Sequence, residues 1–175
     1  MLRHYRIGDL TVYPAQGVTE ITGIESREIS GNEELFYVLT VLNTGRKIMV
    51  PLNKATMVGL RDVIDEKEVE SVYDILRERP IKLDTQNWNR RYRKFLDKIK
   101  TGSLFDVAEV LRDLYLLRYD KPLSFKERTI FDVAKSLLVK ELSIVKKTDE
   151  SRVEKELDKI FPPPPAQLFA DTSVD

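Results

Sequence analysis

"GNEELFYVLTVLNTGRKIMVPLN", residues 31–53, sets the class of the first part of the chain. β-Branched and aromatic residues are dense in it, and Gly31 and Gly45 punctuate the runs, as expected of short strands joined by turns. In its last eight residues the period of two puts Ile48, Val50 and Leu52 on one face and Lys47, Met49 and Pro51 on the other. A central strand needs the N–H that Pro51 lacks, so this strand belongs at a sheet edge, with Met49 and Pro51 turned away from the core. That edge either uses its proline to resist self-association or accepts an added strand from a partner. In the second case backbone bonds supply affinity and Met49 an apolar contact.

Moving outward, "GDLTVYPAQG" and "GVTEITGIESREIS" repeat the pattern of short runs between glycines. Residues 1–65 therefore predict a small, strongly bent antiparallel β-barrel. From about residue 65 the period becomes helical and stays so until the prolines at 162. Helix starts are legible as capping-box-like pairs: Asp65 with Glu68, Ser103 with Asp106, Ser124 with Glu127. Apolar stripes follow, Leu104, Val107, Ala108, Leu111, Leu114 and Leu117 in one helix, and Ile130, Val133, Ala134, Leu137, Leu138, Leu142 and Val145 in the next. The expected class is α+β with two domains, a β-barrel followed by a compact all-α domain of four to five helices over residues 66–161. A proline-rich tail, 162–175, reads as a short polyproline II spacer before a disordered end.

Composition narrows the function classes. The chain has 175 residues with 29 basic and 29 acidic side chains, so no whole-molecule field attracts nucleic acid. Charge is nevertheless segregated: residues 62–78 carry seven acids against Lys67 and Arg77, and residues 81–100 carry seven bases against Asp84 and Asp97. The lack of cysteine removes disulfides, thiolate metal sites and cysteine nucleophiles, and suits a reducing cytoplasm. No apolar run reaches membrane-spanning length and "MLRHYRIGDL" has no signal-peptide core, so a soluble, cytoplasmic protein is expected. His4, the sole histidine, lies at the N-terminus, a poor place for a general base or metal ligand, and no phosphate-binding loop or nucleophile elbow is present. No enzymatic activity, metal or cofactor is expected. A hydrolase would require a pocket with paired carboxylates.

"TQNWNRRYRK", residues 85–94, holds the only tryptophan. At roughly 100° per residue, Trp88, Tyr92, Phe95, Leu96 and Ile99 fall on one arc, which favours a core position for Trp88. Yet it stands at the first turn, where an in-phase side chain can overhang the core. Arg90, Arg93 and Lys100 line one flank of the arc, and Arg91, Lys94 and Lys98 the other. Phe125 lies roughly 120° from the stripe of its helix. Packing against a neighbouring helix is its favoured state, and with Leu96 it is kept as a candidate exposed apolar contact.

"IGDLTVYPAQGVTEITGIESREI", "IMVPL", "VGLRDVI" and "NWNRRYRKFLDKIKTGSLFDVAEVLRDL" resemble, in order and spacing, the CarD/CdnL family of bacterial transcription regulators, over about residues 5–160. The first part also resembles the RNA polymerase interaction module of the transcription-repair coupling factor. The resemblance implies a Tudor/SH3-like N-terminal domain that docks on the RNA polymerase β subunit. It also implies a helical domain contacting promoter DNA at the upstream edge of the melted region, which stabilises the open complex. Trp88 would be the minor-groove wedge, with Arg90 and Arg93 as basic contacts and Arg91 as a backbone contact; Arg27, Ile29, Met49 and Pro51 would face polymerase. Some members carry arginine where this chain has Met49, so that contact should be more apolar here. No membrane or small-molecule partner is expected, and a monomer is expected. The alternative is a protein–protein adaptor of the same architecture without nucleic-acid binding, for which charge reversal at Arg90 and Arg93 would change nothing at promoters.

Overall fold

The computed structural model describes residues 4–80 and 88–163. They form β1 (Leu10–Tyr13), β2 (Gly17–Ile29), β3 (Asn32–Val41), β4 (Lys47–Pro51) and β5 (Arg61–Asp62). Five helices follow: α1 (Glu66–Arg77), α2 (Trp88–Lys100), α3 (Leu104–Asp120), α4 (Phe125–Val145) and α5 (Glu150–Ile160). The proline-rich tail beyond Pro163 lies outside the described residues.

Ser30 and Gly31 both take positive φ, 51° and 81°, between Ile29 and its partner Asn32. Such a two-residue turn matches the right-handed twist of the strands it joins, and it builds the long β2–β3 hairpin. A register shift between Ile21 and Gly23 bulges β2, which bends the sheet.

All pairings are antiparallel, in the order β4-β3-β2-β1-β5, so β4 is an edge strand, where Pro51 places it. The expected barrel is corrected to an open sheet, with β4 and β5 at opposite ends of the ladder. β5 is too short to close it, at two residues. In place of closure, Tyr5, Ala55 and Leu60 pack with Ile21, Tyr37, Leu39 and Val50 in one core. The Tyr5 backbone N–H donates to Tyr37 Oη at 3.0 Å, anchoring the N-terminal segment across it.

The helices share a second core centred on α3 and α4, with Leu111, Leu114, Leu138 and Leu142 fully buried. Truncating any of these to alanine should cost about 2–5 kcal/mol. Val133, placed on the buried stripe by period, is exposed instead. The Asp65–Glu68 capping box forms in full. Ser103 makes no side-chain cap; the neighbouring Thr101 hydroxyl bonds Asp106 at 2.7 Å instead.

Sheet and helices meet at Arg61 and Glu141. Arg61 donates through Nη1 and Nη2 to the two Glu141 oxygens, each at 2.8 Å, and through Nε to the Gly102 carbonyl at 2.7 Å. Glu141 also accepts from the Ile64 N–H at 2.9 Å. Gly17, at φ 91°, lies so close to α4 that a Cβ there would stand 2.9 Å from Leu137 Cδ2.

Candidate functional site

Trp88 opens α2 and is 36% exposed. Its ring stacks on Tyr92, one turn on, with centroids 5.5 Å apart and planes 10° off parallel. The Lys126 ammonium, from α4, sits 5.4 Å from the Trp88 ring and 5.5 Å from that of Tyr92. Indole Nε1 donates to Glu127 Oε1 at 3.1 Å. Periodicity alone puts the indole in the core; in the structure its nitrogen is bonded to Glu127 while the residue stays partly exposed. Both follow from its place at the helix start.

The basic flanks differ. Arg90 and Arg93 are exposed, as are Lys94 and Lys100. Arg91, expected as a DNA backbone contact, is instead 7% exposed, with Nη2 3.4 Å from both Glu127 oxygens. Lys98 bridges to Glu109 at 2.8 Å. Arg91 and Lys98 therefore face acids on α4 and α3, whereas Arg90, Arg93, Lys94 and Lys100 are exposed.

Leu96, kept as a candidate exposed contact, is half-buried against the helical core. Phe125, for which packing was favoured, is 75% exposed. It is the first residue of α4.

Glu127 and Lys126 were not singled out as site residues. Ser124 and Glu127 had the spacing of a helix start, and Ser124 Oγ does accept the Glu127 N–H at 3.2 Å. The carboxylate, however, is turned toward α2, where no local pattern reports it.

Arg27, Ile29, Met49 and Pro51 fall on one sheet face. Along β3, Asn32, Glu34, Phe36 and Val38 alternate onto that face, opposite Ile29, Arg27, Glu25 and Gly23 on β2. On the other side, Phe36 and Val38 pair with Pro51 and Met49 of β4. Arg27 and Ile29 are exposed, and Met49 and Pro51 half-buried. Arg27 approaches Glu25 at 3.4 Å, an exposed pair that holds the guanidinium weakly. The opposite face carries Tyr37, Leu39, Ile48 and Val50 into the core.

An open cleft of about 550 Å³ between α1 and α5 brings Glu70 and Glu156 among Tyr73, Arg77, Arg79, Lys146 and Lys159. Glu70 is paired with Arg77, and Glu156 with Lys146 and the Tyr73 hydroxyl. Burial opposes ionisation of Glu156, but hydrogen bonds from Lys146 and Tyr73 outweigh it and hold the carboxyl below its usual range. A carboxylate serving as general acid near neutral pH needs the opposite shift. Among the described residues no group of three or more His, Asp or Glu side chains is placed to hold a metal ion, and no helix is long and apolar enough to cross a membrane.

The family model described as CarD, C-terminal domain, matches residues 71–158, and that of the CarD-like/TRCF RID domain matches residues 5–64. A Bacillus subtilis (strain 168) protein named "Putative transcription factor YdeB" is 30% identical over 150 residues, covering 86% of this chain and 97% of that protein. The solved structure "CdnLNt from Myxoccoccus xanthus" is 48% identical, with a TM-score of 0.31, over 37% of this chain and 90% of that one.

Proposed function

Because the chain belongs to the CarD/CdnL family of transcription regulators, we propose that it binds the RNA polymerase β subunit and promoter DNA at once, stabilising the open complex. Residues 1–65 dock on polymerase: the β4 edge accepts a strand, and the face of Arg27, Ile29, Met49 and Pro51 lies against it. Residues 66–161 carry Trp88 to the upstream edge of the melted DNA, where the indole wedges into the minor groove. Arg90 and Arg93 take adjacent phosphates.

The observation that carries this reading is the state of Trp88. A large aromatic is held by stacking and a hydrogen bond, yet is 36% exposed, at the start of a helix with Arg90 and Arg93 outward. Two phosphate contacts give weak, salt-sensitive binding alone, and tethering to polymerase raises the local DNA concentration enough to make them count.

Measuring the lifetime of polymerase–promoter open complexes tests this. Trp88→Ala is expected to leave capture of core polymerase intact and to shorten the lifetime; a native lifetime with Trp88→Ala overturns the wedge.

A further inference from the structure

Glu127 is 5% exposed and gathers donors from α2 and from its own N-cap. Trp88 Nε1 reaches Oε1 at 3.1 Å, Ser124 Oγ reaches the same oxygen at 3.1 Å, and Arg91 Nη2 lies 3.4 Å from both oxygens. A glutamate at this position of a helix ordinarily turns back to the N-cap backbone or faces water. Here it is inserted beneath the start of α2. With Nε1 bound, one ring face on Tyr92 and the Lys126 ammonium nearby, the indole has a single set orientation.

We propose that Glu127 is a positioning residue for Trp88: it holds the indole in the orientation that enters DNA before DNA arrives. This rests on Trp88 acting as the wedge. An indole released from Glu127 would sample other rotamers, and insertion would have to order it again. Arg91, 3.4 Å from both of its oxygens, holds the Glu127 carboxylate in place and does not itself meet DNA.

Trp88 is the only tryptophan, so fluorescence excited to the red of tyrosine absorption reads this one side chain. Glu127→Ala would take the carboxylate from the buried Arg91 guanidinium and threaten folding. Arg91→Leu combined with Glu127→Leu removes the anchor without leaving a buried charge, and Glu127→Gln keeps an acceptor for Nε1. The double variant is expected to melt cooperatively and capture polymerase, with red-shifted emission and stronger acrylamide quenching. Its open-complex lifetime should fall roughly two- to twelvefold, the penalty for ordering one side chain at an interface. Glu127→Gln should stay near native in emission and quenching. A folded double variant with native emission and quenching overturns the proposal, as does an equally large shift in a Glu127→Gln chain that melts cooperatively. A native lifetime for the double variant, beside a shortened one for Trp88→Ala, removes the positioning role and keeps the wedge. A native lifetime for Trp88→Ala removes the wedge, and the positioning role with it.

Discussion

Arg90 and Arg93 lie exposed on α2, and Arg91 between them is buried against the Glu127 carboxylate. Three arginines within four positions thus divide between exposed and buried positions, with different consequences when each is removed. Alanine at Arg90 or Arg93 is expected to lower the slope of log affinity against log salt by about 0.9 each, one released phosphate counterion per contact. Stability should stay within about 0.5 kcal/mol of native. Arg91→Ala should leave that slope alone and cost about 3–5 kcal/mol, because the buried Glu127 carboxylate loses its cation. Anisotropy titrations over a salt series on forked duplex DNA, paired with thermal melts, check both. An Arg91→Ala chain with native melting and a reduced slope would return Arg91 to the DNA. Helical phase could list these side chains by flank but could not tell them apart, since the acid that claims Arg91 lies 36 residues along the chain.

Strands and helices were more legible than their partners, because an element is set by local chemistry. Pro51 marked β4 as an edge, and the Ser103 and Ser124 positions marked the starts of α3 and α4 even though Ser103 forms no cap bond. Closure of the sheet was not legible: it depends on β5, which spans two residues, and on whether Tyr5, Ala55 and Leu60 fill the gap. The state of β4 as an edge leads to a test of docking. Met49 is half-buried and faces away from the core, so Met49→Asp should cost the fold only about 1 kcal/mol. A carboxylate amid an apolar strand-addition contact should instead abolish capture of core polymerase. Pull-down with wild-type and Met49→Asp chains, each shown to be folded by its melting curve, measures this; equal capture by a folded Met49→Asp chain would move the polymerase contact off β4.

At the scale of the molecule, α4 links the two proposed surfaces. Glu127, near its start, holds the indole, and Glu141, 2% exposed near its end, holds Arg61 of β5. At 1.5 Å per residue these anchors stand about 21 Å apart along one rigid rod. The sequence left the angle between sheet and helices open, because Glu141 sits among apolar positions and looks like one more helix-surface acid. Fixing the angle matters if weak DNA contacts rely on tethering, since a tether raises local concentration only when both sites can be engaged together. Glu141→Ala strands the Arg61 guanidinium and removes the acceptor of the Ile64 N–H, so it should destabilise the fold by about 3–5 kcal/mol. Arg61→Leu with Glu141→Leu separates stability from geometry: an apolar pair of similar volume is often neutral in place of a buried ion pair. That double variant still loses the partners of the Ile64 N–H and the Gly102 carbonyl, at about 1–3 kcal/mol each, but should melt cooperatively, capture polymerase and show native Trp88 emission. If Arg61 and Glu141 set the angle at which the wedge meets DNA, its open-complex lifetime should nonetheless fall toward that of Trp88→Ala. A native lifetime in a folded double variant would assign the register of the two parts to the packing of Gly17 on Leu137 and of Pro14 on Gly102, without the ion pair.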